Sequence, residues 1–181
     1  MLKFVKRSII YGKNSIYVLA KRIYTRNKVH LQWKQLFHWS LSIRATKSGT
    51  VSVGKLMSNR GHQIILADGG CIHIGNECFF NDGCSITSLN LIEIGDNCTF
   101  GNNAIVIDHD HDYRNGKGFI SGKVIIGNNV WVGANVVILK DVIVGENSVI
   151  AAGTVVRKGC YPANSLIHSE INTTIINIGL R

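Results

Sequence analysis

From Ile126 the chain repeats itself every six residues, reading IGNNVW VGANVV ILKDVI VGENSV IAAGTV VRKGCY. Ile or Val opens each unit, at 126, 132, 138, 144, 150 and 156. The same beat runs earlier through Ile74, Phe80 and Ile86, and again through Ile94, Phe100 and Val106. Four residues after these openings stand Cys78, Cys84, Cys98, Ala104, Val130, Val136, Val142, Ser148, Thr154 and Cys160, all small or β-branched. The pattern fails at Asn90 and Asp110, where the spacing itself breaks. Glycine often takes the second place, as at Gly75, Gly95, Gly101, Gly127, Gly133 and Gly145.

Such a beat predicts a coil of short flat strands, one per hexapeptide, stacked along an axis. The opening residue points into the core and the fifth must be small enough to pack beside it. Gly, Asn and Asp suit the corners. Strands this short cannot bury a face alone, so neighbouring coils must cover one another. An antiparallel sandwich would instead show strands about 8–12 residues apart with period-two alternation. The fold class predicted is therefore an all-β solenoid over residues 51–161, with a projecting loop at 107–123 and a C-terminal tail at 162–181.

Residues 1–50 lack the beat. Leu2, Val5, Ile9, Ile16, Leu19 and Ile23 form an imperfect helical stripe, with Lys and Arg largely off it. One or two amphipathic helices and a strand-like entry at SIRATKSGTVSVGK are predicted. This arm is either a cap packed on one end of the solenoid, since solenoids need covered ends, or a contact for a membrane surface or an acidic glycan.

Charge sharpens the division. The net +9 of the 181 residues is unevenly spread: residues 1–60 carry 13 Lys and Arg and no acid, and the remainder carries 7 basic and 11 acidic side chains. Nucleic acid, anionic lipid and acidic polysaccharide all suit such an arm. No zinc spacing, phosphate loop or aromatic RNA-binding string favours nucleic acid. The basic start is like a signal peptide, but Lys13 and Lys21 interrupt its apolar segment and no small-residue cleavage site follows. No apolar run approaches the ~18 residues of a membrane span. A cytoplasmic protein is expected, with peripheral attachment at the inner face of the membrane as an option. The length suits one domain, and 41 Ile and Val against 12 Leu favour strands. Four of the five cysteines occupy the small inward place and no CxxC pair exists, so core packing is expected, in keeping with a reducing compartment.

Between Val106 and Ile126 the beat stops for VIDHDHDYRNGKGFISGK. A polar insert on a rigid scaffold is a favoured place for function. It holds Asp108, His109, Asp110, His111, Asp112, Tyr113 and Arg114. Histidine suits a general base near neutrality, and nearby carboxylates could fix its tautomer. Alternating His and Asp could also ligate a metal, given a third ligand from elsewhere. A solvated loop without chemistry is the remaining alternative.

The hexapeptides, the insert and the closing IAAGTVVRKG resemble the hexapeptide-repeat acyltransferases, within them the maltose and galactoside O-acetyltransferase branch and its relatives in capsule and exopolysaccharide synthesis. The resemblance covers roughly residues 51–165, with IGNNVWVGANVVI its most specific stretch. It implies a left-handed parallel β-helix, a homotrimer with active sites between subunits, and acetyl-coenzyme A lying along the coils. Generic crossover rules would have given a right-handed coil, so the hand comes from the resemblance alone.

In that family the catalytic histidine holds the sixth place of the hexad before the insert. Here the hexad is VIDHDH, which implies His111 as base. The asparagine that helps hold the acceptor sugar stands a fixed interval before that histidine, and the interval falls on Asn81. His109 and Asp108 are flanking candidates for acceptor contact. Trp131, Ala134, Ala152, Arg157 and Lys158 match positions that meet the coenzyme, its small residues allowing close approach and its cations suiting phosphate. No metal is expected.

Two departures limit the transfer. The insert is shorter than in the maltose and galactoside enzymes, and the usual Gly-Asn-Pro-Ala-Lys tail is replaced by HSEINTTIINIGLR after YPANS. Acceptor-loop contacts and the adenine end of the coenzyme site, including any role for His168, are thus not carried over. The implied reaction is acetyl transfer to a hydroxyl of a capsule, exopolysaccharide or lipopolysaccharide precursor, without a covalent acyl-enzyme. Serine or amino-sugar acceptors are alternatives within that class. Outside it stand a γ-carbonic-anhydrase-like metalloenzyme using His73, His109 and His111, and a non-catalytic scaffold for glycan assembly.

Overall fold

The computed structural model describes residues 2–169. One helix, α1 (Leu2–Tyr24), precedes a stack of short parallel strands. The strands form three faces: a seven-stranded sheet A running from Val29–Leu31 to Gly159–Tyr161, and two six-stranded sheets. Sheet B runs from Ser58–Asn59 to Leu166–Ile167, and sheet C from Leu41–Thr46 to Val155–Val156. This is the all-β solenoid with a helical N-terminal cap that the repeat predicts, consistent with a left-handed parallel β-helix.

The inward positions fall where the beat puts them. Every opening residue from Ile74 to Val156 is buried, as are Cys78, Cys84, Cys98, Ala104 and the Val, Ser and Thr of the fifth place. Phe80 and Phe100 stack with ring centroids 4.6 Å apart, tying successive coils through the axis. The buried thiols of Cys78, Cys84 and Cys98 donate to the carbonyls of Gly95, Gly101 and Gly127, each at 3.1 Å. Cys160 is the exception and is exposed. Its rung arrives one position early: Val142 pairs with Gly159, although the interval from Val124 to Val142 would have called for Cys160. Cys160 therefore pairs with the outward Ile143. One residue lost from the coil turns the expected inward place outward.

Glycine and asparagine divide the corner between them. The fourth-place residues Asn97, Asn103, Asn129, Asn135 and Asn147 have φ of 55–57°, the left-handed region that asparagine tolerates. The second-place glycines serve close stacking instead. A Cβ on Gly133 would lie 2.6 Å from the backbone nitrogen of Ala152 on the next coil.

Strand pairing reaches beyond the legible beat. Val29 pairs with Val51 and Thr50 with Cys71, both wider intervals than the three hexapeptides that separate Val124 from its partner Val142. The first coils are longer at their corners, which hides the six-residue spacing there. At the other end, Leu166–Ile167 adds a last rung to sheet B within the 162–181 tail, and residues 170–181 lie outside those described.

Helix α1 caps the stack, but not with the described part of the apolar stripe, Ile16, Leu19 and Ile23. Its packed side is Asn14, Tyr17, Val18 and Lys21. Asn14 Nδ2 donates to the Gln35 carbonyl at 2.9 Å and Lys21 Nζ to the Ile43 carbonyl at 2.8 Å. Burial, assisted by the charge of Arg44, holds the Lys21 ammonium below its ordinary value. Tyr17 meets Phe37 edge-on at 5.9 Å. Ile16, Leu19 and Ile23 of the stripe are 72%, 49% and 71% exposed. The side chains of Leu2, Val5 and Ile9 lie outside those described. Among the described residues no helix is long and apolar enough to cross a membrane.

Candidate functional site

The insert is a β-hairpin. Lys123 pairs with Leu91 across nearly twice the interval of an ordinary coil, so this coil carries the extra chain. His109–His111 runs antiparallel to Phe119–Ser121, pairing His109 with Ser121 and His111 with Phe119. The tip is closed by Asp112, whose carboxylate accepts from the side-chain amide of Asn115 at 2.7 Å and from its backbone N–H at 3.2 Å. These bonds hold the Asp112 carboxyl below its usual range. At the neck, the Gly122 N–H donates to the Asp108 carbonyl at 2.6 Å.

Asp108 is the root of the hairpin. Its carboxylate is fully buried and accepts from Ser88 Oγ at 2.6 Å and from the Leu89 and Asn90 backbone N–H groups at 2.8 Å each. Its fourth partner is His109 Nδ1, at 3.0 Å. Asp108, expected to meet the acceptor, has no exposed surface within one chain, and its four donors make it a support for its neighbours. The break in the pattern at Asn90 is explained too, because Asp108 caps the corner formed there.

His109 and His111 share one face of their strand, being two residues apart. Both rings rest on Phe119, His109 edge-on at 5.4 Å and His111 tilted at 4.6 Å between centroids. A continued hexad register would put His109 at the fourth place and His111 at the sixth, facing different directions. It does not apply here, because the segment leaves the solenoid at Asp108 and follows hairpin alternation. Phe119 went unnoticed in the sequence; its signal is an aromatic at the closing end of a polar insert. His111 is exposed and His109 mostly enclosed. His73 lies on sheet A, its Nδ1 2.6 Å from Ser52 Oγ. Among the described residues of one chain no three His, Cys, Asp or Glu side chains are grouped to hold a metal ion.

A second feature lies on sheet B. Phe79, Thr99, Trp131 and Val149 stand in register on successive rungs. The groove along them, about 440 Å³, brings together Asn81, Trp131, Ala134 and Ala152. Trp131 is 58% exposed at its edge, and Gly101, Gly133 and the alanines keep the wall low. Arg157 and Lys158 are exposed on the turn after Val155–Val156 and do not line the groove, and His168 is exposed beyond the last rung. No described hairpin residue lines it either. Four of the residues singled out in the sequence thus converge, and the histidines stand apart from them within one chain.

Residues 123–158 match the family described as bacterial transferase hexapeptide (six repeats), and residues 91–107 the hexapeptide repeat of succinyl-transferase. Comparison with curated protein sequences gives no match. Among solved structures the chain is similar to a hexapeptide-repeat-containing acetyltransferase from Vibrio cholerae O1 biovar eltor complexed with acetyl-coenzyme A. That pair is 24% identical with a TM-score of 0.54, covering 90% of this chain and 81% of that one. A maltose O-acetyltransferase from Clostridium difficile 630 is 22% identical with a TM-score of 0.50, over 91% of this chain and 82% of the other. An N-acyltransferase from Bacillus cereus, in complex with dTDP and coenzyme A, is 19% identical with a TM-score of 0.51, over 78% of each chain. At these identities the likeness is one of fold.

Proposed function

We propose that this chain is a hexapeptide-repeat protein of the bacterial transferase kind, and that it is an acetyl-coenzyme A-dependent O-acetyltransferase acting on a saccharide hydroxyl. The observation that carries this reading is the sheet B groove, which gathers Asn81, Trp131, Ala134 and Ala152 from successive coils. Its apolar length and low Gly/Ala wall fit a pantetheine arm, and the indole of Trp131 supplies a rim. Arg157 and Lys158 are cations free of the groove floor, suited to the phosphates of the coenzyme.

The active unit in this reading is a homotrimer. The hairpin histidines and the groove belong to different faces of one chain, so a neighbouring copy must bring one to the other. His111, exposed and supported by Phe119, removes the proton from the acceptor hydroxyl as that oxygen attacks the thioester carbonyl. The tetrahedral adduct then collapses, the carbon–sulfur bond breaks, and the imidazolium returns its proton to the departing thiolate. Asn81 orients the acceptor, since a neutral amide donates and accepts hydrogen bonds but takes no proton at neutral pH. The cysteines have no part. Burial pushes the Cys84 thiol up to about 11, and Cys78 is raised by its contact with the Cys98 thiol and by burial.

A second reading makes His109 the base, favoured by its 3.0 Å contact with Asp108, which fixes the orientation of the ring. An amino-sugar acceptor is the corresponding alternative on the substrate side. Acetyl-coenzyme A consumption with free, nucleotide-linked and lipid-linked sugars tests the whole proposal. Absence of turnover with every acceptor, together with absence of coenzyme binding, overturns it in favour of a scaffold.

A further inference from the structure

The helix that caps the solenoid does so with one side and leaves another bare. Asn14, Tyr17, Val18 and Lys21 face the body, so among the described side chains of α1 the packing uses neither Ile16, Leu19 nor Ile23. Ile16, Leu19 and Ile23 project on the far side, where three aliphatic side chains in water have no structural use. Each flank of the stripe carries a cation beside an exposed indole. Lys13 lines a cavity with Trp39, and Arg22 another with Trp33. The surrounding 60 residues hold 13 cations and no acid.

We propose that this face of α1 lies on an anionic lipid bilayer, its stripe in the acyl boundary and its cations among the headgroups. The combination of an apolar face, flanking Lys and Arg, and Trp at the edges is the chemistry of an interfacial helix. Anionic headgroups complete the charge balance that the arm lacks within its own sequence. The helix lies along the surface because no described helix can cross it. A second copy is the poorer occupant. A two-fold contact through the stripe would bring identical cationic flanks together. The inference is independent of the acetyl-transfer reading, since none of these residues belongs to the groove or hairpin.

The test is flotation of the full chain with vesicles of phosphatidylcholine, alone or mixed with phosphatidylserine. The expected result is flotation with the mixed vesicles, weakened by salt, and about tenfold less with the neutral ones. The double variant Ile16→Gln/Ile23→Gln should cut partitioning about tenfold or more, leaving helix content by circular dichroism and sedimentation mass unchanged. Lys13→Gln/Arg22→Gln should weaken the preference for phosphatidylserine several-fold, the other cations of the arm retaining part of it. Failure to float with either vesicle, flotation indifferent to the Ile16/Ile23 change, or a lower sedimentation mass in that variant overturns the proposal. So does capture by an acidic polysaccharide in preference to vesicles, which would assign the arm to glycan. Acetyl transfer to a soluble acceptor should be the same in all these variants, which separates this test from that of the enzymatic reading.

Discussion

Asp108 and His109 are neighbours in sequence and yet belong to different environments. The carboxylate is sealed in the solenoid with four donors, and the imidazole it holds at 3.0 Å opens the hairpin. Rigid coil and projecting loop meet at that contact, which orients the first histidine at the neck of the insert.

Removing the carboxylate should therefore loosen the hairpin before it unfolds the coil. Asp108→Ala strands the Leu89 and Asn90 backbone N–H groups, while Ser88 Oγ keeps the Cys71 carbonyl at 3.1 Å. A loss of about 3 kcal/mol is expected in urea unfolding, with faster tryptic cleavage at Arg114 and Lys117 in the native protein. Unchanged cleavage would mean the hairpin has another anchor.

The two histidines are separated by substitution. His111→Ala should lower turnover about 10²- to 10⁴-fold with coenzyme affinity preserved, and His109→Ala should cost less. The opposite ranking, measured with the true acceptor, would transfer the base to His109. Phe119→Ala, which frees both rings, should reduce kcat about 10- to 100-fold and leave the KM for acetyl-coenzyme A unchanged.

Corner chemistry can be checked by thermal melting. Gly133→Ala drives a methyl to 2.6 Å from the Ala152 nitrogen and should cost about 1–3 kcal/mol. Asn135→Ala, at φ 56°, should cost about 1–2 kcal/mol through the left-handed backbone together with loss of the acceptor that Asn103 Nδ2 meets at 3.2 Å. Gly116→Ala, open on all sides but at φ 68°, should show the backbone part of that cost.

Thiol labelling reports the register of the last coil. At pH 8 the exposed Cys160 should react with a disulfide reagent in the native protein, and Cys84, pushed up to about 11 by burial, should not. Since the thiolate is the reacting form and the Cys84 shift is upward, raising the pH toward that value should speed its labelling. Equal protection of Cys84 and Cys160 at pH 8 would restore the unshifted register.

Much of this was legible because a six-residue beat has few physical readings. Ile126 through Val156 announce their own burial, and Cys78, Cys84 and Cys98 their place beside them. The first coils were not legible, since corners lengthened around Val29–Val53 erase the spacing without disturbing the ladders. The stripe of α1 could be found by periodicity, but periodicity gives a face and not its direction. Polar Asn14 and Lys21 turned out to be the packed side because carbonyls of Gln35 and Ile43 await them. The groove was foreshadowed only through resemblance, residue by residue, and the shared face of His109 and His111 required knowing that the chain had become a hairpin.

The ladder spacing also governs how such a chain can change its length. Val124 meets Val142 after three hexapeptides, a full circuit of the three faces. A whole circuit could be duplicated or removed between 124 and 142 with every remaining rung finding an equivalent partner. A single hexapeptide could not. Inserted between Asn81 and Trp131, it would rotate everything downstream by about a third of a turn and carry the tryptophan to another face. Growth in this architecture is quantised, and a loop thrown out at a corner, as at residues 109–121, adds less than a full circuit without turning the stack.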